Sequence, residues 1–476
     1  MNVMTPVTGW ALILAFFAFF MGVTWYAARN HDLSSKAGFL VASRDLGWVQ
    51  AAFSIAATWI WAPALFVAAQ QAYVHGWVGA FWFTVPNVLC LVIFAWFARR
   101  ARELFPDGFT LSAAARERYS PRVQVLYLIA MIGLSVASFA VQLLAGAVVV
   151  TALTGIPFAA VTLALSVGTL SYTAYAGLRG SVVTDWLQMV VIGVVGCGLA
   201  LAVTIIAGPS VLARGLHGMD GTYTSLTSGA GAGVFWSFGL STSIGLLSGP
   251  FGDQSFWQRA WAVRKEHVAR SFLLGAAIFA VVPIVMSMLG FAAAGGAVPV
   301  TNPTLTNLAA ILHWLPQWTV VPFLLYVFSG LVSTMSSQLA ALSSFVGHDF
   351  LRGDATRAVF HARWSMLVFA ALAVAIALIP GLTVVQLFIF YGTLRACTLV
   401  PTMLMIARPG RLSERWAFWG ILGSLVLALP MSAYGNLTGT VPFVVAGSLA
   451  AIGVSGTLVL IGRARVAPTV PQNARH

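Results

Sequence analysis

Apolar residues along this chain neither alternate nor form one narrow helical stripe. They run unbroken for long stretches separated by short polar segments. A helix needs about 20 apolar residues, at about 1.5 Å each, to cross a hydrocarbon core of about 30 Å. The pattern predicts spans near 7–27, 48–70, 77–98, 122–150, 157–176, 184–208, 232–248, 269–293, 320–346, 360–380, 383–406, 415–433 and 440–462, about 13 in all. The stretch 294–319 is less regular and holds a short interfacial helix near 304–315. Unbroken runs argue against a transmembrane barrel, whose strands alternate. The expected fold class is an all-α polytopic membrane protein.

Composition narrows this further. The 476 residues are 59% hydrophobic and 8% charged, against about 25% charge in soluble proteins. A soluble enzyme, a coiled coil and a disordered chain are thereby excluded. The net charge of +13 would suggest nucleic acid in a soluble protein, but here its placement follows the spans. An odd number of crossings puts the termini on opposite sides, and basic residues collect in cytoplasmic loops. With the N-terminus outside, the cytoplasmic segments hold Arg29, Lys36 and Arg44; Arg99, Arg100, Arg102, Arg116, Arg118 and Arg122; and Arg179. They continue with Arg259, Arg264, Lys265 and Arg270; Arg352, Arg357 and Arg363; Arg408, Arg411 and Arg415; and Arg463, Arg465 and Arg475. These are 23 of the 25 basic residues; of the other two, Arg214 falls outside and Arg395 deep within a span. The charge is then topology, with membrane lipid as its partner and no nucleic acid. The expected location is the plasma membrane, an inner membrane in a Gram-negative cell, with the C-terminus cytoplasmic. The first segment lacks a basic n-region and reads as a retained helix, not a signal peptide. The tail 463–476 reads as disordered.

Three spans carry polar chemistry. In the second, Pro63 removes a backbone donor and frees carbonyls near Trp59, with Thr58, Gln70 and Gln71 nearby. At the exit of the seventh, Gly245, Gly249, Pro250 and Gly252 precede Asp253 and Gln254, a run that cannot hold a uniform helix. Asp253 either caps the next segment and pairs with Arg259 or lines a solute route. In the ninth, Ser329, Ser333, Thr334, Ser336, Ser337, Ser343 and Ser344 crowd one helix. Such hydroxyls serve either close helix packing or, with freed carbonyls of the second span, a hard-cation site. Asp185 reads as an N-cap of the sixth span, and Arg395 as an internal hydrogen-bonding residue. Cys90, Cys197 and Cys397 are far apart and read as small buried hydrophobes. There is no HExxH, Walker-type or GxSxG motif, so no enzyme is expected. Interrupted helices in the two halves point to an alternating-access transporter.

Four segments carry a family resemblance: ASRDLGWVQAAFSIAAT, YAGLRGSVVTDWLQ, GPFGDQSFWQRAWAVRK and STMSSQLAALSSFVGHD. With them the chain resembles the sodium:solute symporter family over about 5–462, including its proline, pantothenate and urea carrier branches. The resemblance implies a core of five plus five helices in inverted repeat, each repeat opening on a broken helix. The parts would be an extra N-terminal helix in 1–30, repeats at 44–208 and 232–408, two further helices in 412–462, and the tail. It implies a sodium site of Ala56, Trp59 and Gly330 backbone oxygens with Ser333 and Thr334 hydroxyls, and Asp185 near the inward sodium path. Thr58 stands where the proline carriers have an aspartate, which weakens the case for proline.

The expected function is sodium-coupled uptake of a small polar solute, an amino acid such as proline or a neutral solute such as urea. Sodium is a co-transported ion here, not a resident cofactor. The alternatives are proton coupling through Asp185 or Asp253, and a solute sensor without net transport. No obligate protein partner is expected. The solute cavity is expected between spans 2, 3, 7 and 11. Trp59, Trp61, Trp236 and Phe256 would supply stacking surfaces, and Thr58, Gln70, Gln142, Ser241 and Gln254 hydrogen bonds. Asp253 would line the route, and Arg395 is the residue able to hold a carboxylate.

Overall fold

A computed structural model describes residues 3–350, 355–410 and 413–462. Arg352, Arg411 and the tail 463–476, with Arg463, Arg465 and Arg475, lie outside the described residues. Among the described residues the architecture is helical, with an isolated bridge joining Leu46 and Val263. Among the described residues, eleven helices are long and apolar enough to cross a membrane. In chain order the elements used below are α1 (Pro6–Ala28), α2 (Trp48–Trp59), α3 (Ala62–Leu104), α4 (Leu111–Arg118), α5 (Pro121–Thr154) and α6 (Phe158–Ala207). They continue with α7 (Gly229–Leu247), α8 (Gln254–Ala262), α9 (Val268–Gly295), α10 (Val320–Ser344), α11 (Ala355–Ala377), α12 (Val384–Ala396), α13 (Leu399–Ala407), α14 (Glu414–Thr438) and α15 (Val441–Ile461).

Starts follow local chemistry. Thr5 caps α1 ahead of Pro6, and Ser120 caps α5 ahead of Pro121. Each hydroxyl satisfies an orphan N–H, and proline sits where no donor is needed. Two long helices are not single rods. In α3, Gly76 adopts φ 57° and ψ −149°; in α6, Gly177 adopts φ 57° and ψ −140°. A side chain is strained in that backbone region. Both glycines reverse the chain. A Cβ on Gly79 would lie 2.5 Å from the Gln71 carbonyl, and one on Gly180 would lie 3.7 Å from the Tyr172 carbonyl. Eight residues of straight helix would separate them by about 12 Å. The freed groups at Gly76 are taken up by a neighbouring loop: Trp77 N–H donates to Leu216 O at 2.8 Å and Met219 N–H to Tyr73 O at 2.9 Å. These reversals fall where the sequence separates spans 2 from 3 and 5 from 6. The expected 13 crossings rest on dividing α3 and α6 there.

The two interruptions expected from proline and glycine chemistry are present. The helix α2 stops at Trp59; Ile60 and Trp61 are non-helical, and α3 restarts with Pro63 in its first turn. After α7, a single turn Gly249–Gly252 leads to an extended Asp253, which caps α8. The spans α5 and α10 are the most enclosed of the bundle, while α1, α11, α14 and α15 are largely exposed at its periphery. The last two pack chiefly on each other. The loops assigned to one side by charge meet at one end. Arg44 donates to Gly108 O and Asp107 O at 2.9 Å each, and Arg179 pairs with Asp45 at 2.8 Å. Arg214 sits at the other end, against Gly295 O.

Candidate functional site

The two interruptions face each other across the bundle. Between them is a cavity lined by Thr58, Trp59, Trp61, Leu134, Ser138, Asp253, Thr334, Gln338, Tyr391 and Arg395. Its volume is about 10 Å³. That is room for roughly one water, so the walls are drawn together.

Aromatic rings dominate it. Trp59 and Trp61 stack at 5.4 Å, and Phe256 meets Trp59 edge-on at 5.2 Å. The Arg395 guanidinium lies 5.6, 5.2 and 4.8 Å from the ring centroids of Trp59, Trp61 and Tyr391. Desolvated contacts of this kind are worth about 2 kcal/mol or more each. Glycine makes the approach possible: a Cβ on Gly249 would stand 2.9 Å from Arg395 Nη1, and one on Gly252 would strike the Arg395 side chain. Arg395 is buried, yet its Nε and Nη2 have no hydrogen-bond partner, nor has Trp61 Nε1. Asp253 faces the same space. Its Oδ1 accepts the Ser255 N–H at 2.8 Å and its Oδ2 accepts from Gln338 Nε2 at 2.8 Å.

A second polar group lies beside the cavity. Asp185 and Arg259 pair at 2.9 Å with both side chains fully buried. Asp185 also accepts from Ser54 at 2.5 Å and Ser333 at 2.6 Å. Arg259 donates further to Ser54, Ser337 and the Ser255 carbonyl at 2.8, 2.7 and 3.0 Å. Ser337 in turn contacts Thr58 at 2.9 Å. This network joins α2, α6, α8 and α10. It reaches the cavity through Thr58, and through Ser255, which bonds Asp253.

Where α2 ends, the Thr334 hydroxyl lies 3.1, 3.4 and 3.4 Å from the carbonyl oxygens of Thr58, Ile60 and Gly330. The Gly330 carbonyl already serves the ladder of α10, but those of Thr58 and Ile60 stand at the broken end of α2, and freed carbonyls beside a hydroxyl suit a hard cation.

Several residues expected at the solute site are elsewhere. Gln142 caps the restart of α3, accepting from Ala62 N–H at 2.7 Å. Gln254 bridges Leu111 N–H, Phe109 O and Ser344, binding α8 to the loop before α4. Trp236 is 55% exposed on the outer surface of α7. Gln70 lies about 12 Å along α3 from the interruption, by helix rise, and does not line the cavity. Ser241 is buried without a partner, away from the lining. Thr58, Trp59, Trp61, Asp253 and Arg395 do come together, with Phe256 behind Trp59. The walls are completed by spans 4 and 9; span 3 gives only the Asn87 carbonyl to Trp59 Nε1, at 3.1 Å. Asp185 is no N-cap: it sits inside α6 beyond the Gly177 reversal. Arg259 pairs with it and not with Asp253. Tyr391, Gln338 and Ser54 were not singled out in the sequence, because Tyr, Gln and Ser in apolar runs carry no signal of which face turns inward.

A sequence model of the Sodium:solute symporter family matches residues 39–423. The chain belongs to that family. It is 25% identical over 370 residues to a probable urea active transporter of Schizosaccharomyces pombe, covering 71% of this chain and 55% of the relative. It is 24% identical over 377 residues to a urea active transporter of Saccharomyces cerevisiae, covering 72% and 51%. It is 22% identical over 455 residues to a urea-proton symporter of Oryza sativa subsp. japonica, covering 85% and 62%. The chain thus spans little more than half the length of these curated relatives. Its fold is similar to that of a Na+-coupled sialic acid symporter, at TM-score 0.77 and 16% identity over 95% of this chain and 97% of that one. It is also similar to a nucleobase-cation-symport-1 family transporter, at 0.60 and 15% over 90% and 96%. Of the sodium ligands that the family resemblance implies, Gly330 O and Thr334 Oγ1 lie together. Ala56 O accepts from Ile60 N–H at 2.9 Å, and Ser333 turns to Asp185. The oxygens beside Thr334 at the end of α2 are those of Thr58 and Ile60, the neighbours of Trp59.

Proposed function

We propose that the chain is a secondary active transporter that moves a small, polar, uncharged solute across the plasma membrane with a coupling cation, sodium, by alternating access. The arginine-rich end faces the cytoplasm, and the N-terminus lies outside. The observation that carries this reading is the cavity at the junction of two interrupted helices, with an oxygen cluster on its edge. A cation held there draws α10 onto the end of α2, the helix whose last residues also wall the solute cavity. Sodium and solute therefore each favour the arrangement the other needs, and the linkage is reciprocal. The names of the curated relatives support urea or a solute like it.

Proton coupling is the second reading. Asp185 is a buried carboxylate inside a membrane helix, the kind of residue that serves proton relays, and one relative is described as a urea-proton symporter. Against it, Asp185 is held by Arg259 and two hydroxyls, and taking up a proton would cost it that pairing.

Thr334 separates the two. Losing one buried oxygen partner costs roughly 1–3 kcal/mol, or roughly 5- to 150-fold in sodium affinity. Thr334→Ala should raise the sodium concentration for half-maximal uptake in proteoliposomes by that factor, while Thr334→Ser changes it little. If Ala, Ser and parent share one sodium dependence, the hydroxyl serves packing alone and sodium coupling at this place is wrong.

A further inference from the structure

A groove of about 650 Å³ runs along the outer wall of the bundle, bounded by α1, α2 and α6. None of its lining residues borders the solute cavity. Its volume falls within the range of ligand sites, about 300–1,000 Å³. Short side chains leave it unfilled. Ala18 and Gly22 lie one turn apart on α1 and both line it, and a Cβ built on Gly22 meets nothing within 4 Å. Large rings line it too. Phe19, Tyr26 and Trp186 are 58%, 64% and 44% exposed, so the groove opens away from the protein, toward the lipid of a membrane.

One end of the groove is polar. Tyr26 and Ala27 belong to the last turn of α1, and just beyond it His31 meets Arg179 at 3.3 Å, which places this end among the clustered arginines. The Arg29 guanidinium lies 4.3 Å from the centroid of the Tyr26 ring and 5.9 Å from that of Trp25. Among the described residues no carboxylate pairs with Arg29. The neighbouring acids are engaged: Asp32 Oδ1 accepts from the Ser34 N–H and hydroxyl at 2.9 and 2.7 Å, and Asp45 is held by Arg179. On the α2 wall, Gln50 is half-buried and has no hydrogen-bond partner among the described residues.

We infer that this groove holds one anionic phospholipid, with an acyl chain against Gly22 and Trp186, the headgroup phosphate on Arg29, and the Gln50 amide donating to a headgroup or ester oxygen. Charge selects the occupant. The apolar walls suit any acyl chain, but an unpaired arginine at the polar end favours a net negative headgroup over a zwitterionic one. A second copy of the chain is the competing occupant, since Ala18 and Gly22 have the spacing that lets two membrane helices approach closely. The projecting rings of Phe19 and Trp186 oppose that approach. A two-fold pair about the membrane normal would also set two unpaired arginines at the same end of one interface.

The test is native mass spectrometry of the purified full-length carrier, stripped of lipid in detergent and then offered phosphatidylglycerol or phosphatidylcholine with the same acyl chains. The parent should retain one phosphatidylglycerol with about fivefold preference, the discrimination expected of one basic residue at an anionic headgroup. Gly22→Trp, whose ring enters open space, should lose that lipid, while its thermal unfolding in lipid-free detergent stays at or above that of the parent. Arg29→Gln should keep a bound lipid but lose the preference. Arg415→Gln, which removes an exposed arginine of α14, should do neither. If Gly22→Trp does not fold, the parent and the two surface variants still decide. Equal retention of the two lipids by the parent, or a preference that Arg29→Gln and Arg415→Gln reduce alike, would overturn the site and leave only charge spread over that end. A dimer of the parent that Gly22→Trp dissolves would assign the groove to a second copy and overturn it as well.

Discussion

Arg259 and Asp185 are both fully buried, and a charge left alone in such a place costs about 3–5 kcal/mol. Asp185→Asn or Arg259→Met alone should therefore destabilise the purified carrier strongly in detergent, as read by thermal unfolding. The double variant should lose much less than the sum of the two. Strict additivity would mean that the pair is not what holds α6 against α8. One of the two sequence readings of Asp253 pairs it with Arg259, because nearness along the chain is the one proximity a sequence offers; the partner of Arg259 comes from α6 through long-range packing. The same limit explains Gln142 and Gln254. Both are polar residues near the interruptions, as the sequence indicates, but their amides are taken by orphan backbone groups at Ala62, Phe109 and Leu111. Trp59, Trp61, Asp253 and Arg395 were legible because proline, glycine and an intramembrane charge act locally and have few other uses.

Helix interruptions are the elements that shape the site, and those made by Pro63 and by the Gly249–Gly252 run could be read directly. The breaks between spans 2 and 3 and between spans 5 and 6 could be placed as well, but not the glycines, Gly76 and Gly177, that make them. Nothing in 45 glycines marks which adopt positive φ. Gly177→Ala forces a side chain into a region that costs about 1–3 kcal/mol and drives its Cβ into the Phe39 carbonyl. Gly198, in the final stretch of α6, has nothing within 4 Å of a built Cβ, so Gly198→Ala should be neutral or slightly stabilising. Thermal unfolding of the two variants in detergent should thus diverge, with Gly177→Ala clearly lower. Equal transitions would show that the reversal at Gly177 is not strained by a side chain.

At the scale of the whole molecule, the membrane class follows from composition, and the gathering of basic loops at one end follows from their spacing. The family follows from four motifs spread over most of the chain. What the motifs leave open is how the interruptions meet. The structure sets a walled cavity holding Arg395 beside an oxygen cluster at Thr334, and the two share the end of α2. The account's central claim is that this junction couples a cation gradient to solute movement. The most direct measurement is uptake of labelled urea into proteoliposomes under an inward sodium gradient, with pH equal and the membrane potential clamped. The account predicts accumulation above the external concentration, abolished when sodium is equal on both sides and unchanged by a proton ionophore. Entry only to equilibrium, or accumulation driven by a proton gradient without sodium, would contradict it.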